Sequence, residues 1–171
     1  FLTVVRDTVR LPDGEHATRE FVQHPGAVAV VPILDDGRLV MVRQYRHPVG
    51  EVLLEWPAGK LERQEPVLAC AIRELREETG YTAREWARAG VFHNACAYSD
   101  EGIEIWFARG LQSGAASLDE GEFVEVTLRT ESELLDMLGR GLITDMKTGL
   151  GILWLQRWRA TGWSLNWQPA P

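Results

Sequence analysis

The chain has 171 residues, of which 45% are hydrophobic and 25% are charged, a balance typical of one globular domain with a sizeable core. Its formal net charge of −7 argues against a general nucleic-acid binder and against a binder of membrane surfaces. The longest apolar run, residues 27–34, is too short to span a bilayer. Because only two cysteines are present and no signal peptide is visible, we expect a cytoplasmic protein without a disulfide framework.

Hydrophobic patterning predicts mainly strands in the first part of the chain. The predicted strands cover residues 1–7, 17–23, 27–34, 38–44 and 52–56. The first two are joined by a turn at Pro12, Asp13 and Gly14. The third is apolar throughout, which is typical of a strand that is buried on both faces.

The rest of the chain is predicted to contain three more strands, followed by two helices. Further strands are predicted at residues 86–92, 103–109 and 122–128, and helices at residues 131–138 and 147–159. Trp154 and Trp158 are four residues apart on the last helix, so we expect them in the core or at a subunit interface. This mixture of elements predicts a layered α/β/α fold around one sheet.

Residues 59–81 form the most informative segment of the sequence. Its apolar positions have the spacing of a buried helical stripe; they are Leu68, Ala71, Ile72 and Leu75. Pro66 suits the first turn of this helix, and Gly80 suits a left-handed residue at its end. We therefore predict an amphipathic helix between these two residues.

The same segment carries five glutamates, which are Glu62, Glu65, Glu74, Glu77 and Glu78. The last three share one helix face, where like charges cost stability unless a cation lies among them. Mg²⁺ is the expected cation because it prefers oxygen ligands. Arg73 can pair with Glu77 or reach back to Glu65, and the sequence leaves both options open.

The spacing of this segment resembles the Nudix box. That motif runs glycine, five residues, glutamate, seven residues, Arg-Glu, an aliphatic residue, one residue, Glu-Glu, one residue, glycine and an apolar residue. Its positions are filled here by Gly59, Glu65, Arg73, Glu74, Leu75, Glu77, Glu78, Gly80 and Tyr81. A match of this length is far more specific than a short glycine motif. The alternative is an ordinary solvated helix face with Glu–Arg pairs.

The resemblance implies a Nudix α/β/α sandwich with a mixed sheet, and hydrolysis of a nucleoside diphosphate linked to another group. It also implies Mg²⁺ as the cofactor, with Mn²⁺ as a possible substitute. The implied metal ligands are the backbone carbonyl of Ala58 and the carboxylates of Glu74, Glu77 and Glu78, with Glu77 direct or through water. Arg73 and Glu65 would orient the helix that carries these ligands.

Beyond the box, the chain resembles the ADP-ribose pyrophosphatase branch. The segments that carry this likeness are residues 19–28, 42–46, 54–60, 99–101 and 106–111. One departure is Cys96, which stands where that branch usually has a proline in a Ser-Pro-Gly-like loop. The resemblance implies ADP-ribose as substrate and AMP with ribose 5-phosphate as products. Because of Cys96, another nucleotide sugar of the GDP-mannose type or a dinucleotide remains an alternative.

The same resemblance implies residues that bind substrate and activate water. Arg19 and Arg46 match positions that contact the phosphates or the terminal ribose, and guanidinium groups suit phosphate geometry. Phe21 and Trp56 are candidates for stacking on the base, with a place in the core as the alternative. Within residues 118–122, Glu120 is the first candidate for the general base and Glu122 the second.

The expected organisation is an N-terminal strand pair, residues 1–24, followed by a Nudix hydrolase domain, residues 25–171. By resemblance to sugar-nucleotide Nudix enzymes, the strand pair is a possible dimerisation element, so we expect a homodimer. The alternative is a hairpin that packs on its own domain. A functional alternative of another class is a non-catalytic Nudix module that senses a nucleotide. We expect no nucleic-acid or membrane partner.

Overall fold

The computed structural model describes residues 2–118, 121–160 and 162–171. Within these residues it contains ten strands and three helices in two sheets. The elements are β1 (Thr3–Arg10), β2 (His16–Gln23), β3 (Ala27–Ile33), β4 (Leu39–Arg46), β5 (Glu51–Glu55), β6 (Ala58–Lys60), α1 (Val67–Thr79), β7 (Tyr81–His93), β8 (Gly102–Ser113), β9 (Val124–Arg129), α2 (Glu131–Gly139), α3 (Met146–Arg159) and β10 (Trp167–Pro169).

The two N-terminal strands form a separate antiparallel ribbon. β1 and β2 pair along their whole length, from Thr3 opposite Gln23 to Arg10 opposite His16. Among the described residues, the ribbon is joined to the main domain by a short bridge in which the N–H of Val22 donates to the carbonyl of Tyr98. Most ribbon side chains are exposed, including Val4 at 78%. The predicted strand pair is therefore present.

The main sheet is mixed. Its strand order is β10-β7-β8-β3-β4-β5, and β6 pairs with β3 while β9 pairs with β4. Strands β3 and β8 are parallel, and the other pairs are antiparallel. Because β6 lies on the edge of β3, the segment that follows β5 is held close to the start of α1.

Strand β3 is buried on both faces because helices cover both sides of the sheet. All seven of its residues are buried. Val28 and Val30 pack in a cluster with α1, whereas Ala29 and Val31 pack on the opposite side in a cluster with α2 and α3. This alternation explains why the sequence shows a continuous apolar run. The predicted α/β/α arrangement with a mixed sheet is confirmed.

Helix α1 has the bounds that its local chemistry indicates. Pro66 occupies the position just before its first residue, without a side-chain capping bond, and Gly80 ends it in a left-handed conformation with φ of 74°. The N–H of Gly80 donates to the carbonyl of Arg76. Ala71 and Leu75 are fully buried, as the predicted stripe requires.

The C-terminal segment contributes a strand that patterning does not reveal. Trp167 begins β10, which pairs with the outer edge of β7. Its ring lies 5.8 Å from that of Trp158, and the ring of Trp154 lies 5.5 Å from that of Phe107. The two tryptophans of α3 therefore pack in the core of the same chain. None of the helices in the described residues is long and apolar enough to cross a membrane.

Candidate active site

The carboxylates of α1 lie directly against strand β6. The backbone N–H of Ala58 donates to Oε2 of Glu78 at 3.0 Å. A Cβ placed on Gly59 would lie 1.9 Å from Oε1 of Glu74. Only a glycine leaves room for that carboxylate, so the loop before α1 and the acidic face of α1 fit each other through the first residue of the box.

Arg73 lies at the centre of the acidic helix face, and its guanidinium group donates hydrogen bonds to three carboxylates. Its Nε and Nη2 donate to the two oxygens of Glu65 at 2.8 and 2.9 Å. Its Nη1 donates to Glu74 at 2.7 Å and to Glu77 at 3.1 Å. Both pairings that the sequence left open are therefore present together. The hydrogen bonds from Arg73 lower the pKa of Glu65 to about 2.

The negative charge of Glu74, Glu78 and Glu122 is not fully neutralised by neighbouring cations. Burial, followed by repulsion from Glu74 and Glu122, raises the pKa of Glu78 to about 8. Burial also raises the pKa of Glu74, although Arg73 opposes the effect. Three acidic side chains from two parts of the chain therefore repel one another at one place, which is the situation that a bound cation relieves.

These residues fit a hard divalent cation that retains water ligands. In the described part of the chain, no three histidine, cysteine, aspartate or glutamate side chains form a ready-made metal cluster. Mg²⁺ does not require one, because it usually binds one or two carboxylates, several waters and substrate phosphates. The carboxylates of Glu74 and Glu78, which carry excess negative charge, suit that kind of site.

A cleft of about 380 Å³ opens beside these carboxylates, within the size range of small-molecule sites. Its walls carry both acidic and basic side chains. They are formed by His24, Ala27, Val28, Gln44, Arg46, Ala58, Gly59, Lys60, Glu74, Asn94, Glu101, Ile103, Glu122, Asp145 and Lys147. Four of the residues predicted to bind metal or substrate or to act as base are among them, namely Arg46, Ala58, Glu74 and Glu122.

Glu122 is held at the cleft by a neighbour on β4. Its Oε1 accepts a hydrogen bond from Nε2 of Gln44 at 3.0 Å. Glu120, the first candidate for the general base, lies outside the described residues. The two candidates therefore remain predictions, and Glu122 is the one whose position at the cleft is described.

Three predicted substrate-binding residues lie elsewhere. Trp56 is fully buried, and its Nε1 donates to the carbonyl of Thr148 at 3.0 Å. Its ring therefore belongs to the core, the alternative that the sequence left open, and presents no face to a ligand. Arg19 and Phe21 are on the ribbon and do not line the cleft of their own chain. Phe21 instead borders a shallow depression with Tyr98.

Some residues of the cleft have no distinct signal in the sequence. Lys147 and Asp145 come from the first turn of α3 and its cap, and neither belongs to a motif. Glu101 accepts a hydrogen bond from Asn94 at 2.7 Å and lies 3.5 Å from Nε2 of His24. Of these, His24 and Glu101 fall in segments that carry the branch resemblance, and their side-chain roles could not be read from that likeness.

Comparison with known proteins agrees with the fold and the motif. Residues 23–142 match the model of the NUDIX domain. The chain is 40% identical to an ADP-ribose pyrophosphatase of Bacillus subtilis over 152 residues, which cover 88% of this chain and 82% of the relative. It is 42% identical to a methanol dehydrogenase activator of Bacillus methanolicus over 152 residues, with the same two coverages.

A solved structure has the same fold. The crystal structure of an ADP compounds hydrolase superposes with a TM-score of 0.81, at 23% identity, over 94% of this chain and 88% of that one. At this identity the likeness shows the fold alone. The match to the domain model and the two Bacillus relatives show the family as well. The chain therefore belongs to the Nudix family of pyrophosphohydrolases, in the branch that resembles the ADP-ribose pyrophosphatases.

Proposed function

We propose that this enzyme hydrolyses the pyrophosphate bond of ADP-ribose to AMP and ribose 5-phosphate in a reaction that depends on Mg²⁺. The observation that carries the proposal is that one cleft is lined by Glu74 of α1, by Glu122 and by Arg46, with the buried Glu78 close enough to Glu74 and Glu122 to be repelled by both. A diphosphate with its metal ion needs both the carboxylates and the guanidinium group. The name of the Bacillus subtilis relative, an ADP-ribose pyrophosphatase, supports ADP-ribose as the first choice of substrate.

Glu74 and Glu78 are the side chains proposed to hold the metal, with the carbonyl of Ala58 beside them and Glu77 as a direct or water-mediated ligand. Mg²⁺ supplies charge neutralisation of the diphosphate and lowers the pKa of a bound water. Mn²⁺ is a possible substitute. Arg73 is proposed to orient the carboxylates, because it donates hydrogen bonds to Glu65, Glu74 and Glu77 at once.

The chain's own groups then complete the reaction. Arg46 lines the cleft and is proposed to hold the diphosphate in line for attack. A carboxylate from residues 120–122, either Glu120 or Glu122, accepts the proton of the attacking water. The new P–O bond forms at one phosphorus as the bond from that phosphorus to the bridging oxygen breaks, and the bridging oxygen leaves with the other phosphate.

Arg19 and Phe21 lie on the ribbon and do not line the cleft of their own chain. They could therefore contact substrate only in the cleft of a second subunit. We therefore propose a homodimer in which residues 1–24 contact the partner, and residues 25–171 form the hydrolase domain. The mostly exposed ribbon and its exposed Val4 support this arrangement. We also propose a cytoplasmic location, with no nucleic-acid or membrane partner.

A substrate panel tests the proposed activity. ADP-ribose, GDP-mannose and a dinucleotide polyphosphate are compared by kcat/KM with Mg²⁺, with Mn²⁺ and with EDTA. Released monophosphates are detected as inorganic phosphate after phosphatase treatment. We expect the highest kcat/KM for ADP-ribose with Mg²⁺ and none with EDTA. A higher value for another compound would overturn the substrate but leave the Nudix chemistry intact.

A nucleotide-sensing module is the rival from another class. It would bind ADP-ribose in a calorimeter with no cleavage stimulated by Mg²⁺. The complete acidic set of Glu74, Glu77 and Glu78 supports catalysis, because a sensor has no need of three repelling carboxylates. Glu78→Gln is expected to lose most turnover and keep the fold. Turnover like that of the wild type at equal Mg²⁺ would contradict the proposed mechanism.

A further inference from the structure

A buried carboxylate on β5 joins two cations at the edge of the cleft. Glu55 is only 1% exposed. Its two oxygens accept hydrogen bonds from Nε and Nη2 of Arg46 at 2.7 and 2.9 Å. Nζ of Lys147 also donates to Oε2 of Glu55 and pairs with Asp145 at 3.0 Å. The four side chains form one network.

The elements that carry this network are tied together by hydrogen bonds. Asp145 caps α3 and accepts a hydrogen bond from the N–H of Thr148 at 3.0 Å. The N–H of Trp56, next to Glu55, donates to Oγ1 of Thr148 at 3.2 Å. Glu55 and Lys147 are therefore held together by backbone as well as by charge, although they are 92 residues apart in sequence.

The charges in the network balance, and this has a consequence at the cleft. Arg46 and Lys147 carry two positive charges, and Glu55 and Asp145 carry two negative charges. Without Lys147, the buried Glu55 would be neutralised by Arg46 alone, and the network would become net negative. The Arg46 side chain is 38% exposed. Its Nη1 makes no hydrogen bond among the described residues, so this nitrogen remains for an anion.

We infer that Lys147 is a positioning residue for substrate binding: it neutralises Glu55, so that Arg46 can offer its charge to the diphosphate. Glu55 fixes the plane of the Arg46 guanidinium group with two hydrogen bonds. Because Lys147 neutralises Glu55, the negative charge of Glu55 does not cancel the positive charge of Arg46. The inference rests on the proposed function, because it requires an anionic substrate in this cleft. It assigns a role to the start of α3 that no motif indicates.

The test compares charge states of the network. Lys147→Met makes the network net negative, and the double variant Glu55→Gln/Lys147→Met restores the balance. Arg140→Met is the matched control, because it removes a cation that pairs with Asp136 outside the cleft. The readouts are KM and kcat for ADP-ribose, and the Kd for α,β-methylene-ADP-ribose with Mg²⁺, which cannot be cleaved at the bridge.

We expect Lys147→Met to raise KM and Kd about tenfold, because the network would then carry one uncompensated negative charge beside the anionic substrate. The change in kcat should be smaller. The double variant should return Kd towards that of the wild type, and Arg140→Met should change neither value. A Kd that stays raised in the double variant would mean that Lys147 contacts the substrate itself, and would overturn the positioning role.

Two further outcomes are covered by one more variant and by the substrate panel. If Lys147→Met does not fold, Lys147→Gln replaces it, because the amide can still donate a hydrogen bond to Glu55 but carries no charge, and Kd should again rise about tenfold. An unchanged Kd in Lys147→Gln would contradict the inference. If the wild type neither cleaves ADP-ribose nor binds its analogue, the proposed substrate fails. The comparison is then made with the compound of the panel that the wild type cleaves.

Discussion

Gly59 and Glu74 fit against each other so closely that a methyl group on the glycine would overlap the carboxylate. A Cβ at this position would lie 1.9 Å from Oε1 and 2.0 Å from Cδ of Glu74. Gly59→Ala must therefore displace a proposed metal ligand. We expect it to reduce Mg²⁺-dependent kcat/KM at least tenfold and to lower the free energy of unfolding by about 1–3 kcal/mol.

Gly139→Ala is the control for this substitution, because no atom lies within 4 Å of a Cβ at that position and the residue ends helix α2. Its kinetics should equal those of the wild type. Steady-state rates and urea unfolding of the three proteins check both expectations. Normal activity of Gly59→Ala would show that Glu74 can move away from β6 without loss of function.

Arg73→Lys tests whether one guanidinium group is needed to hold the acidic helix face. Lysine keeps the charge but cannot donate to Glu65, Glu74 and Glu77 with the same geometry. We expect a loss of about 2 kcal/mol in the free energy of unfolding, because the network is partly buried. The apparent affinity for Mg²⁺ in activity titrations should also fall.

Arg76→Lys is the matched control on the same helix. Arg76 is largely exposed, and its ion pair with Glu77 is 3.8 Å long. The control should change the free energy of unfolding by less than about 0.5 kcal/mol. Equal losses in the two variants would assign the effect to the general replacement of arginine by lysine on this helix and not to the hydrogen-bond network.

The sequence predicts this molecule well where structure depends on neighbours along the chain. Pro66 and Gly80 mark the ends of α1 because capping is local, and β3 is recognisable because burial on both faces leaves no polar position. The contact between Glu55 and Lys147 joins residues 92 apart, so no local pattern contains it. Trp56 was ambiguous for a related reason: an aromatic residue beside a cleft and one in the core look alike in sequence.

The metal-free protein should become less stable as the pH rises towards 8. Burial raises the pKa of Glu78 from 4.5 to about 8, so between these values the folded state binds more protons than the unfolded state. The free energy of unfolding then falls with rising pH, by roughly 4 kcal/mol over the window for Glu78 alone. Above pH 8 this contribution levels off.

Calorimetric unfolding in EDTA from pH 5 to 8.5 checks this slope. Glu78→Gln should remove most of it, because the neutral amide has no proton to release. Glu65 does not interfere, since its pKa is lowered to about 2 and its contribution changes only at more acidic pH. A wild-type stability that rises over the window would contradict the raised pKa of Glu78.

The general base is identified by comparing Glu120→Gln and Glu122→Gln. Removing a general base typically costs about 10²–10⁴ in rate, and the loss should appear in kcat. Glu125→Gln is the control, because Glu125 is exposed and pairs with Arg43 at 3.0 Å. If both Glu120→Gln and Glu122→Gln keep full kcat, neither residue is the base, and proton transfer must go through another group.

The N-terminal ribbon provides the test of the proposed dimer. Val4 is 78% exposed and lies opposite Val22 in the ribbon, so a lysine there leaves the chain's own core untouched. If this surface packs on a partner subunit, Val4→Lys buries a charge at the interface and should raise the dimer dissociation constant at least tenfold. Val91→Lys is the control, since Val91 is also exposed but lies on β7. Sedimentation velocity at micromolar concentration measures both, and a wild type that sediments as a monomer would contradict the proposed homodimer.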